Sequence, residues 1–242
     1  MQLSGPSKWR FRKGAIKEWK KLIPALNSER LGTALSDLEV FKERYNILPR
    51  LEDAFNMFRM IMPHDVRVVI IAQSPYPGSC PATGIPYACG PAFLPSPGCK
   101  TTPATLRNVV SEVYRDFPNK ARKPPKVMLL DWIDQGVMLL NSSLTLGAGC
   151  PKYLEDHSVL WKEIMQDIVC TVSEHLDPIF VLIGRDAWEL ESSVLQNPTK
   201  RMIKVSHPVA RKETSTPWLG SGVFSRVSDM MVERDEMPIR WG

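Results

Sequence analysis

Residues 66–77 read Val66-Arg67-Val68-Val69-Ile70-Ile71-Ala72-Gln73-Ser74-Pro75-Tyr76-Pro77. The first seven are rich in β-branched side chains, lack polar alternation and are bounded by polar and Pro-rich stretches. That is the pattern of a strand buried on both faces, and so of a central parallel strand. Further along, Gly136-Val137-Met138-Leu139-Leu140 ends at Asn141, and Ile179-Phe180-Val181-Leu182-Ile183 ends at Gly184. A weaker run, Met202-Ile203-Lys204-Val205, ends at Ser206-His207-Pro208. Apolar residues at helical spacing predict helices over 105–117, 160–176, 186–195 and 224–233, and ahead of the first strand over 18–26, 31–45 and 52–60. Strand and helix alternate, which predicts an α/β architecture around a mainly parallel four-stranded sheet.

Each run carries polar or special residues just past its C-terminal end: Gln73-Ser74-Pro75-Tyr76, Asn141-Ser142-Ser143, Gly184-Arg185-Asp186 and Ser206-His207-Pro208. Open α/β sheets bind ligands in the crevice outside the carboxyl ends of their strands. These segments, far apart in sequence, are therefore expected to converge. The Asn141 amide offers a donor and an acceptor together, as reading the edge of a nucleobase requires. Tyr76 and Tyr87 offer stacking surfaces, and His207 can steady charge developing on a carbonyl oxygen. Taken one at a time, Asn141 as a turn cap and His207 as a loop hydrogen-bonder explain the same residues; convergence favours a base pocket.

The net charge of +5 over 242 residues favours a polyanionic partner or leaves a solvated basic surface. Much of the excess lies in Lys8, Arg10, Arg12, Lys13, Lys17, Lys20 and Lys21. Residues 1–16 are accordingly expected to be a flexible basic arm, serving as a DNA-binding arm, a nuclear-import signal or a solvated tail, and residues 17–242 a single domain. The 21 prolines predict rigid loops between short elements rather than long helices. Cys80, Cys89, Cys99, Cys150 and Cys170 contain no C-x-x-C pair and read as free thiols in loops, with no metal site. No apolar signal core or membrane-length run is present, so an intracellular protein with no membrane role is expected. Dinucleotide, P-loop, nucleophile-elbow and zincin motifs are missing, and no cofactor is implied.

The ordered motifs resemble the uracil-DNA glycosylases over nearly the whole chain. The similarity runs through Asp53-Ala54-Phe55-Asn56-Met57-Phe58-Arg59, VVIIAQSPYP (68–77), Gly84-Ile85-Pro86-Tyr87, DWIDQGVMLLNSSLTL (131–146), HSVLWK (157–162), Ser206-His207-Pro208 and Pro238-Ile239-Arg240-Trp241. Pro77 in place of a usual histidine, Thr83-Gly84-Ile85-Pro86-Tyr87, and His207-Pro208-Val209-Ala210-Arg211 in place of H-P-S-P-L resemble the poxviral branch. The resemblance implies a three-layer α/β/α fold. It implies that Tyr76 excludes thymine, Tyr87 stacks on the flipped base, Asn141 reads its edge, Gln73 shapes the pocket and His207 steadies the leaving base. It further implies that Pro75, Thr101, Thr102, Pro103, Gly184, Arg185, Ser206, Arg211 and Lys212 contact DNA.

One departure bears on the chemistry. Ser74 occupies the place where the family keeps the aspartate that positions the attacking water and, as an anion, stabilises the cationic sugar. A neutral hydroxyl can hold a water but supplies no charge, although related glycosylases use a neutral asparagine there. Three classes stand: a slow uracil-DNA glycosylase of base-excision repair; a non-catalytic DNA-binding accessory in replication with a polymerase or processivity partner, as the poxviral likeness implies; and a protein-binding scaffold unrelated to DNA. The nucleus or a viral replication compartment is the location the first two imply.

Overall fold

The computed structural model describes residues 11–77, 82–88, 103–119, 125–149, 151–194, 201–210 and 215–242. Its core is a four-stranded sheet of β2 (Val68–Ala72), β3 (Val137–Asn141), β5 (Ile179–Ile183) and β6 (Met202–Val205). The spatial order is β3-β2-β5-β6, and each of the three ladders is parallel. Every residue of β2, β3 and β5 is buried, which is why those runs read as continuous apolar stretches. Edge strand β6 alternates half-buried and buried positions, which explains its weaker pattern with Lys204 inside it. A separate antiparallel pair joins β1 (Ile47–Leu48) to β4 (Leu146–Gly147).

Helices cover both faces to give the three-layer α/β/α arrangement: α1 (Ala15–Leu22), α2 (Glu29–Lys42), α3 (Asn56–Met60), α4 (Ala104–Asp116), α5 (Pro125–Asp134), α6 (Pro151–Leu176), α7 (Arg185–Trp188), α8 (Glu191–Val194) and α9 (Val223–Val232). Trp19, Trp132 and Trp161 are fully buried in the packing of these helices. Trp19 donates its indole N–H to the Ile61 carbonyl at 2.8 Å and Trp132 to that of Trp241 at 2.8 Å, so each large ring is buried without an orphan donor.

Several expectations need correction. The expected helix over 18–26 is instead α1 followed by a 3-10 turn at Pro24–Asn27, because Pro24 cannot supply the N–H that would continue the helix. The expected helix over 186–195 is two four-residue pieces. α6 is 26 residues long and begins at Pro151, not at 160, so the prolines do not exclude a long helix. Proline at the first helical position is compatible with the fold, since its missing N–H is unpaired there in any case. Consequently His157 lies inside α6 rather than ahead of it. Cys170 is a free thiol in α6 rather than in a loop; the other four cysteines lie outside the described residues.

At the other end of the chain, α1 begins at Ala15, inside the expected arm. Arg12 donates its backbone N–H to the Arg59 carbonyl at 2.7 Å and pairs with Asp65 at 2.7 Å, so residues 11–16 are tied to the domain. Residues 1–10 lie outside the described set. No helix among the described residues is long and apolar enough to cross a membrane.

Candidate nucleobase pocket

The chain passes from β2 out to β3 and then back across β2 to β5, so the strand order reverses at the middle of the sheet. At the carboxyl ends of those strands lies a cavity of about 310 Å³. Gln73, Ser74, Pro75 and Tyr76 line it from the loop after β2, Asn141 from the end of β3, and His207 from the loop after β6. Tyr87 and the segment before it form a further wall, with Thr105 of α4 and Leu154 of α6 completing the lining.

The loop after β2 is held by the end of β3. Ala72 and Asn141 are register partners. The Ser142 N–H donates to the Ala72 carbonyl at 2.8 Å, while the Ser143 N–H (3.2 Å) and the Ser142 hydroxyl (2.6 Å) both donate to the Gln73 carbonyl. A carbonyl that accepts two bonds cannot swing. Because the peptide unit is planar, the Ser74 N–H is thereby fixed on the side opposite Ser142. Ser142 and Ser143, which do not line the cavity, thus clamp the neighbouring loop that does.

The Tyr87 wall is built by close approach. Gly84 has φ 77°, and a Cβ there would sit 1.8 Å from the Asp53 carbonyl oxygen, so only glycine fits. The buried Asn56 amide bridges Asp53 Oδ1 (3.1 Å) and the Thr83 carbonyl (3.0 Å), fixing this segment against the turn before α3. Tyr87 itself has φ 65°, an uncommon conformation for a non-glycine residue that costs on the order of 1 kcal/mol or more and is found preferentially at functional sites.

The electrostatics of the cavity are those of neutral polar groups in an apolar setting. Asn141 is 3% exposed, and its Oδ1 has no hydrogen-bond partner among the described residues. The same is true of the buried hydroxyls of Tyr76 and Tyr87. Burial pushes both phenols well above their ordinary pKa, so both remain protonated donors. Burial also lowers the His207 pKa, against the opposing pull of the Asp186 charge. The Val209 N–H faces Nδ1 at 3.4 Å, which assigns the proton of the neutral ring to Nε2. Behind the ring stands Gly184, where a Cβ would meet the His207 Cβ at 3.3 Å.

None of the described residues lining the cavity is Asp or Glu. An adjoining cleft of about 340 Å³ shares Gln73 and Leu154 with it and contains Glu155, Asp186 and Glu189, the last paired with Lys162 at 2.9 Å. Asp65 lies in a 3-10 turn ahead of β2, at the far end of the strand. Among the described residues no group of three or more His, Cys, Asp or Glu side chains is placed to hold a metal ion.

The cavity therefore brings together Gln73, Ser74, Pro75, Tyr76, Tyr87, Asn141 and His207. Gly184, Arg185 and Ser206 stand beside it at the ends of β5 and β6 and do not line it, and Pro103 immediately precedes α4 without a capping hydrogen bond. Thr101, Thr102, Arg211 and Lys212 lie outside the described residues. Thr83 and Val209 line the cavity from within motifs quoted above, although neither carries a site role there, and Thr105 and Leu154 are further lining residues. Thr105 is signalled by its closeness to 101–103; Leu154 required knowing that α6 starts at Pro151.

No protein-family model matches the chain. A uracil-DNA glycosylase of Clostridium beijerinckii is 31% identical over 196 residues, covering 81% of each chain. One from Desulfitobacterium hafniense is 30% identical over 197 residues, covering 81% of this chain and 82% of its own length. Among solved structures, mimivirus uracil-DNA glycosylase superposes with a TM-score of 0.77 at 25% identity, covering 96% of this chain and 87% of that one. A point mutant of the UNG from Nitratifractor salsuginis, at 18% identity and TM-score 0.61, shares the fold.

Proposed function

The chain belongs to the uracil-DNA glycosylase family, and from that premise we propose that it binds DNA, draws a uracil nucleotide into the strand-end cavity and hydrolyses its N-glycosidic bond. The observation that carries this is Asn141. A buried amide whose acceptor oxygen has no partner costs about 1–3 kcal/mol, and that cost is recovered when a ligand supplies the missing donor. Uracil's N3–H is such a donor, and its O4 is an acceptor for the Asn141 NH₂. Tyr87 stacks on the base, Tyr76 fills the space a thymine methyl would need, and Gln73 shapes the back of the pocket. His207, with its proton on Nε2, donates to the leaving base as charge builds on O2, and it does so without first having to lose a proton.

Ser74 holds the attacking water by hydrogen bonding but adds no anion, and no described lining residue supplies one. Positioned general-base help is typically worth about 10²–10⁴ in rate. The chain is therefore a slow glycosylase. Its phosphate contacts come from Pro75, Thr101, Thr102, Pro103, Gly184, Arg185, Ser206, Arg211 and Lys212. Extrusion of the base costs a few kcal/mol, least from a single strand, so single-stranded uracil DNA is the better substrate.

The same lack of a lining carboxylate favours a second reading: a non-catalytic DNA-binding protein that retains the pocket and acts beside a polymerase in replication. Single-turnover uracil release from a uracil-containing single-stranded oligonucleotide, protein in excess and Asn141→Ala as control, separates the two. Release by the parent but not by the variant is expected. Binding without release would make the protein a DNA-binding accessory.

A further inference from the structure

His207 does its work only if the loop that carries it is held still, and that loop leans on α4. Three polar side chains, Asn108, Glu112 and Asp116, succeed one another at four-residue spacing and so lie along one face of the helix. Each binds a different part of the chain after β6. The Asn108 amide Nδ2 donates to the Pro208 carbonyl at 2.7 Å, immediately after His207. The Asn108 backbone carbonyl accepts the Trp218 indole N–H at 3.0 Å. The fully buried Glu112 accepts from the N–H groups of Gly220 (2.9 Å) and Gly222 (3.2 Å) and from the Ser221 hydroxyl (3.4 Å). Asp116 accepts from the N–H groups of Phe224 (2.9 Å) and Ser225 (3.1 Å), satisfying the free donors of the first turn of α9.

One residue thus grips both ends of the loop, at Pro208 and at Trp218, and below it Glu112 and Asp116 anchor the return into α9. The neck of the loop is closed by Ser206 N–H to the Thr216 carbonyl at 2.8 Å, and the turn at its start by Ala210 N–H to the His207 carbonyl at 2.8 Å. His207 also packs against Gly184, where an added Cβ would meet its Cβ at 3.3 Å. The residue is therefore held by contact with the end of β5 and, through the next residue in the chain, by the Asn108–Pro208 bond.

We propose that Asn108 is a positioning residue for uracil release, holding His207 at the cavity by tying both ends of its loop to α4. This rests on the glycosylase reading and adds to it a residue that does not line the pocket. Uracil release under single-turnover conditions is measured for the wild type, Asn108→Ala, Asn108→Gln, His207→Ala and the Asn108→Ala/His207→Ala pair. Hydrogen exchange is followed in peptides spanning 203–210 and 223–232 of the same proteins.

Asn108→Ala is expected to slow release by about tenfold to a hundredfold, the scale of an ångström-sized misplacement, while oligonucleotide affinity holds. It should add no further loss in the His207→Ala background, and Asn108→Gln, which keeps the amide donor, should recover part of the rate. The 203–210 peptide should exchange faster in Asn108→Ala while 223–232 keeps its protection. Independent, additive losses in the double variant, or unchanged exchange at 203–210, would overturn the proposal. If Asn108→Ala does not fold, Trp218→Phe, which removes one indole N–H, must slow release and speed exchange at 203–210, and failure to do either would overturn it equally. A wild type that releases no uracil sinks the glycosylase reading separately, and the exchange result then decides whether Asn108 holds the loop.

Discussion

The molecule contains two histidines in sheltered positions, and their surroundings are opposite. His157 on α6 is fully buried, with Nδ1 2.7 Å from the Thr145 hydroxyl and Nε2 3.3 Å from the Tyr45 hydroxyl. Trp161 donates its indole N–H to the same Thr145 oxygen at 2.7 Å, and Tyr45 is stacked on Tyr153 at 3.9 Å. An assignment that satisfies every group has Thr145 donating to Nδ1 and Nε2–H facing Tyr45. Among the described residues, His207 has one long contact from Val209 and otherwise faces a cavity in which Asn141, Tyr76 and Tyr87 keep unpartnered polar atoms. Where polar groups satisfy each other they hold the fold; the unpartnered ones around this cavity are the groups that the proposed base binding would satisfy.

That contrast can be tested from both sides. The largest expected effect is a gain: Ser74→Asp should raise single-turnover uracil release by about 10²–10⁴, because it restores an anion to a loop whose backbone is already clamped through Gln73. No gain would mean that the cavity is not laid out for a water at that position. Next, Asn141→Ala and His207→Ala should each lose about 10²–10³ of the release rate, as removal of a transition-state donor does. Thermal unfolding should show Asn141→Ala about as stable as the parent, since it removes an orphan acceptor rather than a bonded one.

His157 should behave in reverse, with stability as the sensitive quantity. Burial lowers its pKa to about 4 from the ordinary 6.5, the Asp156 charge opposing. Below pH 6.5 the unfolded chain takes up a proton that the folded protein refuses until about pH 4. The stability tied to this group is therefore complete above pH 6.5 and falls away as pH drops towards 4. At about 1.4 kcal/mol per unit, the loss is on the order of 3 kcal/mol. Urea unfolding of the wild type and His157→Gln across that range should show the dependence weaken in the variant; equal slopes would remove His157 as its source. The smallest effect on release is expected for Trp161→Phe, none per folded molecule, while the lost hydrogen bond and the cavity left at this fully buried site should cost about 2–4 kcal/mol of stability. A Trp161→Phe protein that was stable but inactive would blur the line between the two histidines.

Much of the fold and the site was legible in the residue order. β2, β3 and β5 are buried on both faces and read as unbroken apolar runs, so the polar residues at their C-terminal ends had to lie at one edge of a parallel sheet. That brings Gln73, Ser74 and Asn141 to one edge, and the parallel β6 brings His207 to the same edge. Helix boundaries were less legible. Pro151 reads as a breaker yet opens α6, because a proline at the first helical position gives up no hydrogen bond. α5 is not among the helices that apolar spacing predicts, and its turn into β3 through Gly136, at φ 96°, is visible only once the Asp65 carbonyl is found where a Cβ would go.

By itself the sequence determined the sheet, the direction of its strands, the polar residues at their ends and the neutral hydroxyl of Ser74, because periodicity and residue type act locally. The tertiary structure alone decided which polar groups find partners. Asn141 and His157 look equally like buried polar residues in the chain, and only packing leaves one with an acceptor that has no partner among the described residues and surrounds the other with Thr145 and Tyr45. It alone brought Asn108 to Pro208, a hundred residues away in the chain, because hydrogen bonds depend on distances that no local pattern encodes.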